Sequence, residues 1–288
     1  MFEIISISTA FIGSILAALF DLKTTEIPDE IPYAMIVIAL VIYGVQSLIQ
    51  WNYWPLLDSI SVGLILLAFG FVMYYLGQWG GGDAKILSAI GFLIPKLPTS
   101  FAKELMFPFP VSYLINVFFV GAAYMLMYAF IIALINKKIF SKFFKDIKAS
   151  SRLLSIGSAV LFIMFLFLNW SLINYFGVDF DIFIVIKNSV LPLITTISLF
   201  IIWKFAKTVE DVGFKKKIPI SKLKVGDVLL ESKLWEGITQ KELNKIRKSG
   251  KKSVVVKEGV RFAMAFPLAL FFSLYFGDGL LLFMKVLI

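Results

Sequence analysis

The sequence predicts an all-α polytopic membrane protein, a transmembrane helix bundle with a small cytoplasmic α+β domain. Three observations carry this. The 288 residues are 59% hydrophobic and 16% aromatic, with a mean hydropathy of +0.89, more apolar surface than a soluble core can hide. Apolar runs long enough for a bilayer recur along the chain, separated by short polar turns. One stretch, residues 207–261, breaks the pattern: it is polar and basic, and mixes short β-like runs with a helical segment.

The first apolar run, Ile4 to Phe20, follows Glu3 and no basic residue, so it reads as a retained span and not as a cleaved signal peptide. It ends in a polar turn from Asp21 to Pro32. Pro28 and Pro32 interrupt helix there, and Asp29 is placed to cap the next span. That span runs from about Tyr33 to Ile49, and Trp51, Tyr53 and Trp54 after it form an interfacial aromatic belt. A third span, Ile60 to Leu76, leads into Gly80-Gly81-Gly82-Asp83-Ala84-Lys85. The fourth, Ala84 to Ile94, is short for a bilayer that needs ~20 residues, and calls for extension by its flanks or shielding by other helices.

Beyond a proline-rich connection come a fifth span, Val111 to Ile135, a basic amphipathic stretch, Lys137 to Arg152, and a sixth span, Leu153 to Tyr175. The acidic turn Gly177 to Asp181 precedes a seventh, Ile182 to Phe205. In the polar segment, Thr239-Gln240-Lys241-Glu242 has the form of a capping box opening a helix to Lys248, while Val228–Leu230 and Val254–Val256 read as strands. A last span covers Phe262 to Ile288. Lys187 and Asp278 are read as interfacial. The domain organisation expected is 1–135, a helical core; 136–206, further spans with a basic cytoplasmic loop; 207–261, the small basic cytoplasmic domain, lipid-facing or stabilising; and 262–288, a C-terminal transmembrane helix.

Charge sets the expected orientation. Of the chain's formal +9, residues 204–261 hold 16 basic and seven acidic side chains, and residues 137–152 hold six and one. Basic loops stay in the cytoplasm, where anionic lipid is the expected partner; no nucleic-acid motif accompanies them. Counting spans back from residues 137–152 puts the N-terminus outside and places the Asp21 turn and the glycine turn together on the cytoplasmic side. The outward turns at Asn52 and Gly177 carry no basic residue; Lys96 and Lys103 are the exceptions.

With no His and no Cys, the chain cannot build a Ser-His-Asp triad, a thiol nucleophile or a His/Cys metal site. Carboxylates at a bilayer edge are costly and point to function. Asp21 and Asp83, on one side, form a candidate pair for general acid/base activation of water, which needs two carboxyls close enough to share a proton and no metal or cofactor. Gly80 and Gly82, free to take φ > 0, would let a peptide backbone approach. Asp83 opens the fourth helix, where the dipole favours an anion. Lys85 is read as a headgroup contact and not as an ally of Asp83. Glu26, Asp29 and Glu30 give the Asp21 turn an acidic rim, a candidate contact for a basic segment of a substrate.

The GxGDAK string at 80–85, with Asp21 in a turn of the form Asp-x6-Pro-Asp, resembles the type IV prepilin peptidases, membrane aspartic enzymes of the GxGD class, and among them the archaeal preflagellin (prearchaellin) peptidases and their prepilin relatives. The likeness covers about residues 1–135. A second, in Ser221–Leu229 and Val256–Phe262, is to the carboxy-terminal region of the archaeal enzymes. The resemblance implies Asp21 and Asp83 as the catalytic pair, no metal or other cofactor, and as substrate a precursor bearing a short basic leader (class III signal peptide), cut at the cytoplasmic face. The methyltransferase activity and cysteine-containing domain of many bacterial relatives have no counterpart, so methylation is not expected. Two alternatives stay open: a presenilin-like or signal-peptide-peptidase-like protease, against which stand Phe20-Asp21 in place of Tyr-Asp and Pro267-Leu268-Ala269 in place of Pro-Ala-Leu; and a transporter, for which mid-span acids or inverted repeats would be expected.

Overall fold

The computed structural model describes residues 2–97, 101, 105–177, 181–232, 237–249 and 252–287. Lys103 and residues 178–180 of the acidic turn lie outside them. The described residues form helices α1 (Phe2–Thr24), α2 (Glu30–Gln50), α3 (Trp54–Tyr75), α4 (Gly81–Leu93), α5 (Phe109–Ile135), α6 (Lys137–Phe176), α7 (Ile182–Val209), α8 (Gln240–Lys248), α9 (Ala265–Phe276) and α10 (Gly279–Leu287). A three-stranded sheet joins β1 (Lys215–Pro219), β3 (Ser253–Lys257) and β2 (Val228–Leu229) in that order. Six helices, α1, α2, α3, α5, α6 and α7, are long and apolar enough to cross a membrane, and α9 with α10 would make a seventh span bent by 57°. The chain divides into two compact units, Met1–Met127 with Lys216–Ile288, and Tyr128–Lys215.

In the first unit the packing surfaces of α1 and α3 are made largely of small residues. Ser6, Ala10, Gly13, Ser14, Ala17, Ala18 and Asp21 are the buried face of α1, and Ser59, Gly63, Leu66 and Gly70 that of α3. Lipid tails supply no hydrophobic drive between helices, so close backbone approach and interhelical hydrogen bonds must hold the bundle. A Cβ at Gly70 would stand 2.7 Å from the Ala84 backbone, and one at Gly91 2.8 Å from Leu66. Ser59 Oγ donates to the Phe92 carbonyl (2.6 Å), Ser88 Oγ to that of Gly63 (2.9 Å) and Tyr43 Oη to that of Leu93 (2.7 Å). Every residue of α4 from Ile86 to Leu93 is buried. The short fourth helix is therefore the shielded element, with α1, α2 and α3 around it.

The C-terminal stretch, expected as one span, is two helices. Gly277, at φ 85, breaks it, and Asp278, expected at an interface, is 1% exposed. The Asp278 carboxylate accepts from Ser112 Oγ (2.9 Å) and from the Leu280 N–H (3.0 Å). Asn116 donates to Ser273 Oγ and the Gly277 carbonyl (both 2.8 Å) and accepts from the Gly279 N–H (2.9 Å). The break thus has its freed backbone groups satisfied by α5, as a helix interruption at membrane depth requires.

The polar segment folds around Leu223, Ile238, Leu243 and Val256. β2 and β3 pair antiparallel, Val228 opposite Lys257 and Leu229 opposite Val256. The capping box forms as its residues predict: Thr239 Oγ1 accepts from the Glu242 N–H (3.3 Å), and Glu242 accepts from the Thr239 N–H (2.8 Å).

In the second unit the basic stretch and the sixth span are one 40-residue helix, α6. No glycine or proline stands between Lys148 and Leu153 to separate them. Asn136 caps it through the Lys138 N–H (3.2 Å), and Gly177, at φ 63, ends it. Asn169 Nδ2 donates to Ser189 Oγ of α7 (3.0 Å). A π turn, Glu210–Phe214, ends α7, and Lys215 Nζ closes on Glu210 (2.8 Å) and Asp211 (2.7 Å).

Candidate active site

Asp21 lies in the last turn of α1, not in the turn beyond it. The small-residue stripe that packs α1 has the spacing of one helix face, and Asp21 is its last member, so packing alone turns the carboxyl inward; it is 6% exposed. Thr25, at φ 60, stops the helix, with its N–H on the Asp21 carbonyl (2.9 Å) and Thr24 Oγ1 bridging the Phe20 and Glu26 carbonyls. A β-branched residue in the left-handed region is strained by about 1–2 kcal/mol, a cost borne where the chain leaves Asp21.

Asp83 is the third residue of α4, as expected. Its Oδ2 accepts from the Gly80 N–H (3.0 Å), so the turn that precedes the helix orients the acid. The expectation that Gly80 and Gly82 take positive φ is not met. Gly80 has φ −76 and ψ 158, and the left-handed residue is Gly77 (φ 71), which ends α3. Gly82 is small because Ile27 is there: a Cβ would stand 2.9 Å from the Ile27 Cβ, so the third glycine lets the Asp21 turn lie against the Asp83 turn.

A cavity of about 580 Å³ receives both acids. Its lining includes Asp21, Glu26, Gly80, Gly81, Gly82 and Asp83, and the two aspartates lie within electrostatic range of each other. Among the described residues no group of three or more carboxylates is gathered as a metal site. Of the acidic rim, Glu26 lines the cavity, whereas Asp29 and Glu30 are exposed and do not. Asp29 precedes α2 without capping it through its side chain; it pairs instead with Lys85 Nζ at 2.6 Å, and that ammonium also stands 5.5 Å from the Tyr33 ring centre. Lys85 is therefore a tie between the two acidic turns, not a headgroup contact.

The remaining wall comes from the polar segment and the chain that leaves it. Gly226, Val228, Gly237, Gly259, Val260 and Phe262 line the same cavity. Ala263 donates its N–H to Asp21 Oδ2 (3.0 Å), Arg261 lies within electrostatic range of Asp21, and the Arg261 carbonyl accepts from Tyr124 Oη (3.0 Å). Trp79, just before the glycines, is 7% exposed and packs among Phe69, Phe118, Phe262 and Phe266, with ring centres 5.7 to 6.1 Å apart. None of these roles was read from the sequence. The likeness of Ser221–Leu229 and Val256–Phe262 to archaeal enzymes assigns them no such role, and nothing in the composition around Ala263 announces a partner 242 residues away.

The architecture defines a class: an apolar helix bundle with two carboxylates, each on a backbone N–H, in one cavity where helix ends meet. Residues 8–135 match the model of the Type IV leader peptidase family. Over 145 residues the chain is 24% identical to the prepilin peptidase EppA of Methanothermobacter thermautotrophicus, covering 47% of this chain and 38% of that protein. It is 36% identical over 85 residues to the preflagellin peptidase of Methanocaldococcus jannaschii, covering 30% and 36%, and 32% identical over 127 residues to that of Methanococcus voltae, covering 43% and 54%. The matches thus span about half or less of each relative's length. The family found is the one that the glycine turn and the Asp21 turn resemble.

Proposed function

We propose that this protein is a membrane aspartic endopeptidase that removes the short basic leader from preflagellin or type IV prepilin-like precursors at the cytoplasmic membrane face. The observation that carries the reading is that Asp21 and Asp83, far apart in sequence, share one cavity in the region that matches type IV leader peptidases. One carboxylate takes a proton from water, the hydroxide so formed adds to the scissile carbonyl, and the other, protonated, hydrogen-bonds the carbonyl oxygen and then gives its proton to the departing amine. Gly80 to Gly82 leave room for an extended backbone beside the acids. Glu26 offers the basic leader a countercharge, while the basic stretches on α6 and in residues 207–261 face anionic lipid. The preference for archaellin or for pilin precursors follows from contacts with the leader and is left to the assay.

The test uses purified protein in detergent and precursors bearing a basic leader. Asp21→Ala and Asp83→Ala should each lower cleavage by at least ~10³-fold, with far-UV circular dichroism and elution volume as in the wild type. Cleavage persisting near wild-type level in either variant removes the two-aspartate mechanism.

A further inference from the structure

The chain between the small sheet and α9 touches Asp21 and the aromatic residue beside the glycine turn of Asp83. Ala263 donates its N–H to Asp21, Phe262 lies against Trp79 beside the glycine turn of Asp83, and the Arg261 carbonyl is held by Tyr124 of α5. Gly259, where a Cβ would stand 3.7 Å from Thr25, follows the turn that ends α1. Three consecutive residues, Arg261, Phe262 and Ala263, thus tie this chain to α5, to Trp79 beside the glycine turn and to α1. A carboxylate that must meet a second carboxylate and a water is useful only within a few tenths of an ångström of its place, and a charged acceptor responds strongly to loss of a fixed donor.

We propose that the peptide N–H of Ala263 is a positioning group for the Asp21 carboxylate, and that the segment Gly259–Ala263 is a brace setting the place of Asp21 relative to the glycine turn, so that this segment, with Gly226, Val228 and Gly237 beside it in the cavity lining, is a working wall of the active site and not an appendage. The proposal rests on the peptidase reading for its catalytic consequence, and on the hydrogen bond alone for its structural one.

The local geometry permits a clean test. The Ala265 N–H bonds the Phe262 carbonyl (2.8 Å), so Ala263 is the second residue of a tight turn whose third, Met264, has φ −63 and ψ −22. Proline suits that second position, and there it removes the N–H while keeping the turn. Ala263→Pro should lower kcat by about 10- to 100-fold, with KM within about twofold. Ala263→Gly, which keeps the donor, should stand at least about tenfold above it in kcat. Folded Ala263→Pro with kcat within about twofold of wild type overturns the proposal. Should that variant not fold, Tyr124→Phe decides, since it frees the other end of the brace without touching Asp21: kcat should fall by about 3- to 30-fold, and an unchanged kcat overturns the proposal.

A second measurement does not depend on cleavage. Amide hydrogen exchange across residues 259–265 should quicken by about tenfold in Asp21→Ala and stay as in wild type in Asp83→Ala. Equal exchange in the two variants overturns the hydrogen bond. Quickened exchange in Asp21→Ala, with a wild-type protein that cleaves no leader, would keep the brace and remove the peptidase reading.

Discussion

The helices around Asp21 and Asp83 and the helix pair α6–α7 are both long and apolar, yet they are built by opposite rules. α1 and α3 bury a stripe of small residues, and α4 is enclosed, so the backbones approach closely and serines reach across to carbonyls. α6 buries only Ile139 among its side chains, and its spanning part reaches α7 through the Asn169 Nδ2 hydrogen bond to Ser189 Oγ. Apolarity therefore places a helix in the bilayer, but small residues decide which helices hold a geometry. Asp21 and Asp83 lie on the helices that are packed by the second rule.

The same substitution made in both regions should separate them most clearly after loss of the aspartates themselves. Gly70→Ala puts a Cβ against the Ala84 backbone and should destabilise by about 1–3 kcal/mol, while Gly157→Ala, where a Cβ meets nothing within 4 Å, should stabilise α6 by up to about 1 kcal/mol. Thermal unfolding in one detergent reads both. Equal and opposite-to-expected shifts would end the contrast.

A smaller effect is expected at the tie between the acidic turns. Lys85 and Asp29 are partly exposed, so either single charge reversal, Lys85→Asp or Asp29→Lys, should cost no more than about 1 kcal/mol of stability. Cleavage should fall by about 3- to 10-fold in each, because the pair aligns the chain that carries Ile27 against Gly82. The double exchange should recover most of it. Failure to recover would mean that Lys85 acts on the substrate and not on Asp29.

The smallest effect is expected in α8. Hydrogen bonds from Thr239 hold the Glu242 carboxyl below its usual range. A carboxyl lowered on folding adds stability above its unfolded value and loses it as pH falls through the folded one, so the protection factors of α8 amides, with intrinsic exchange rates divided out, should fall in mild acid. Glu242→Gln, which has no carboxyl to titrate, should remove that acid sensitivity and leave cleavage within about twofold.

Much of this was legible in the residues themselves. Hydropathy marks the spans because the bilayer demands a fixed length of apolar helix. The capping box of α8 needs only residues three apart, and the Gly80–Lys85 string is contiguous, so each can be read locally. Where reading failed, the missing information was a neighbour. Lys85 was set aside because it faces away from Asp83 along α4, but its partner Asp29 is on another element. Asp278 reads as interfacial from the sequence, but Ser112 of α5 satisfies it in a buried place. The glycines were assigned backbone freedom when Gly82 is small to admit Ile27.

The sequence by itself determined the apolar helical class, the two aspartates as the pair to examine and the family that the glycine turn resembles, because these rest on composition and on short-range pattern. Only the tertiary structure decided what faces the pair. The wall from Gly226 to Phe262 and the Ala263 N–H on Asp21 join segments more than 200 residues apart. A peptide N–H carries no signature of its side chain, and its role as a donor exists only once the chain has been folded around it.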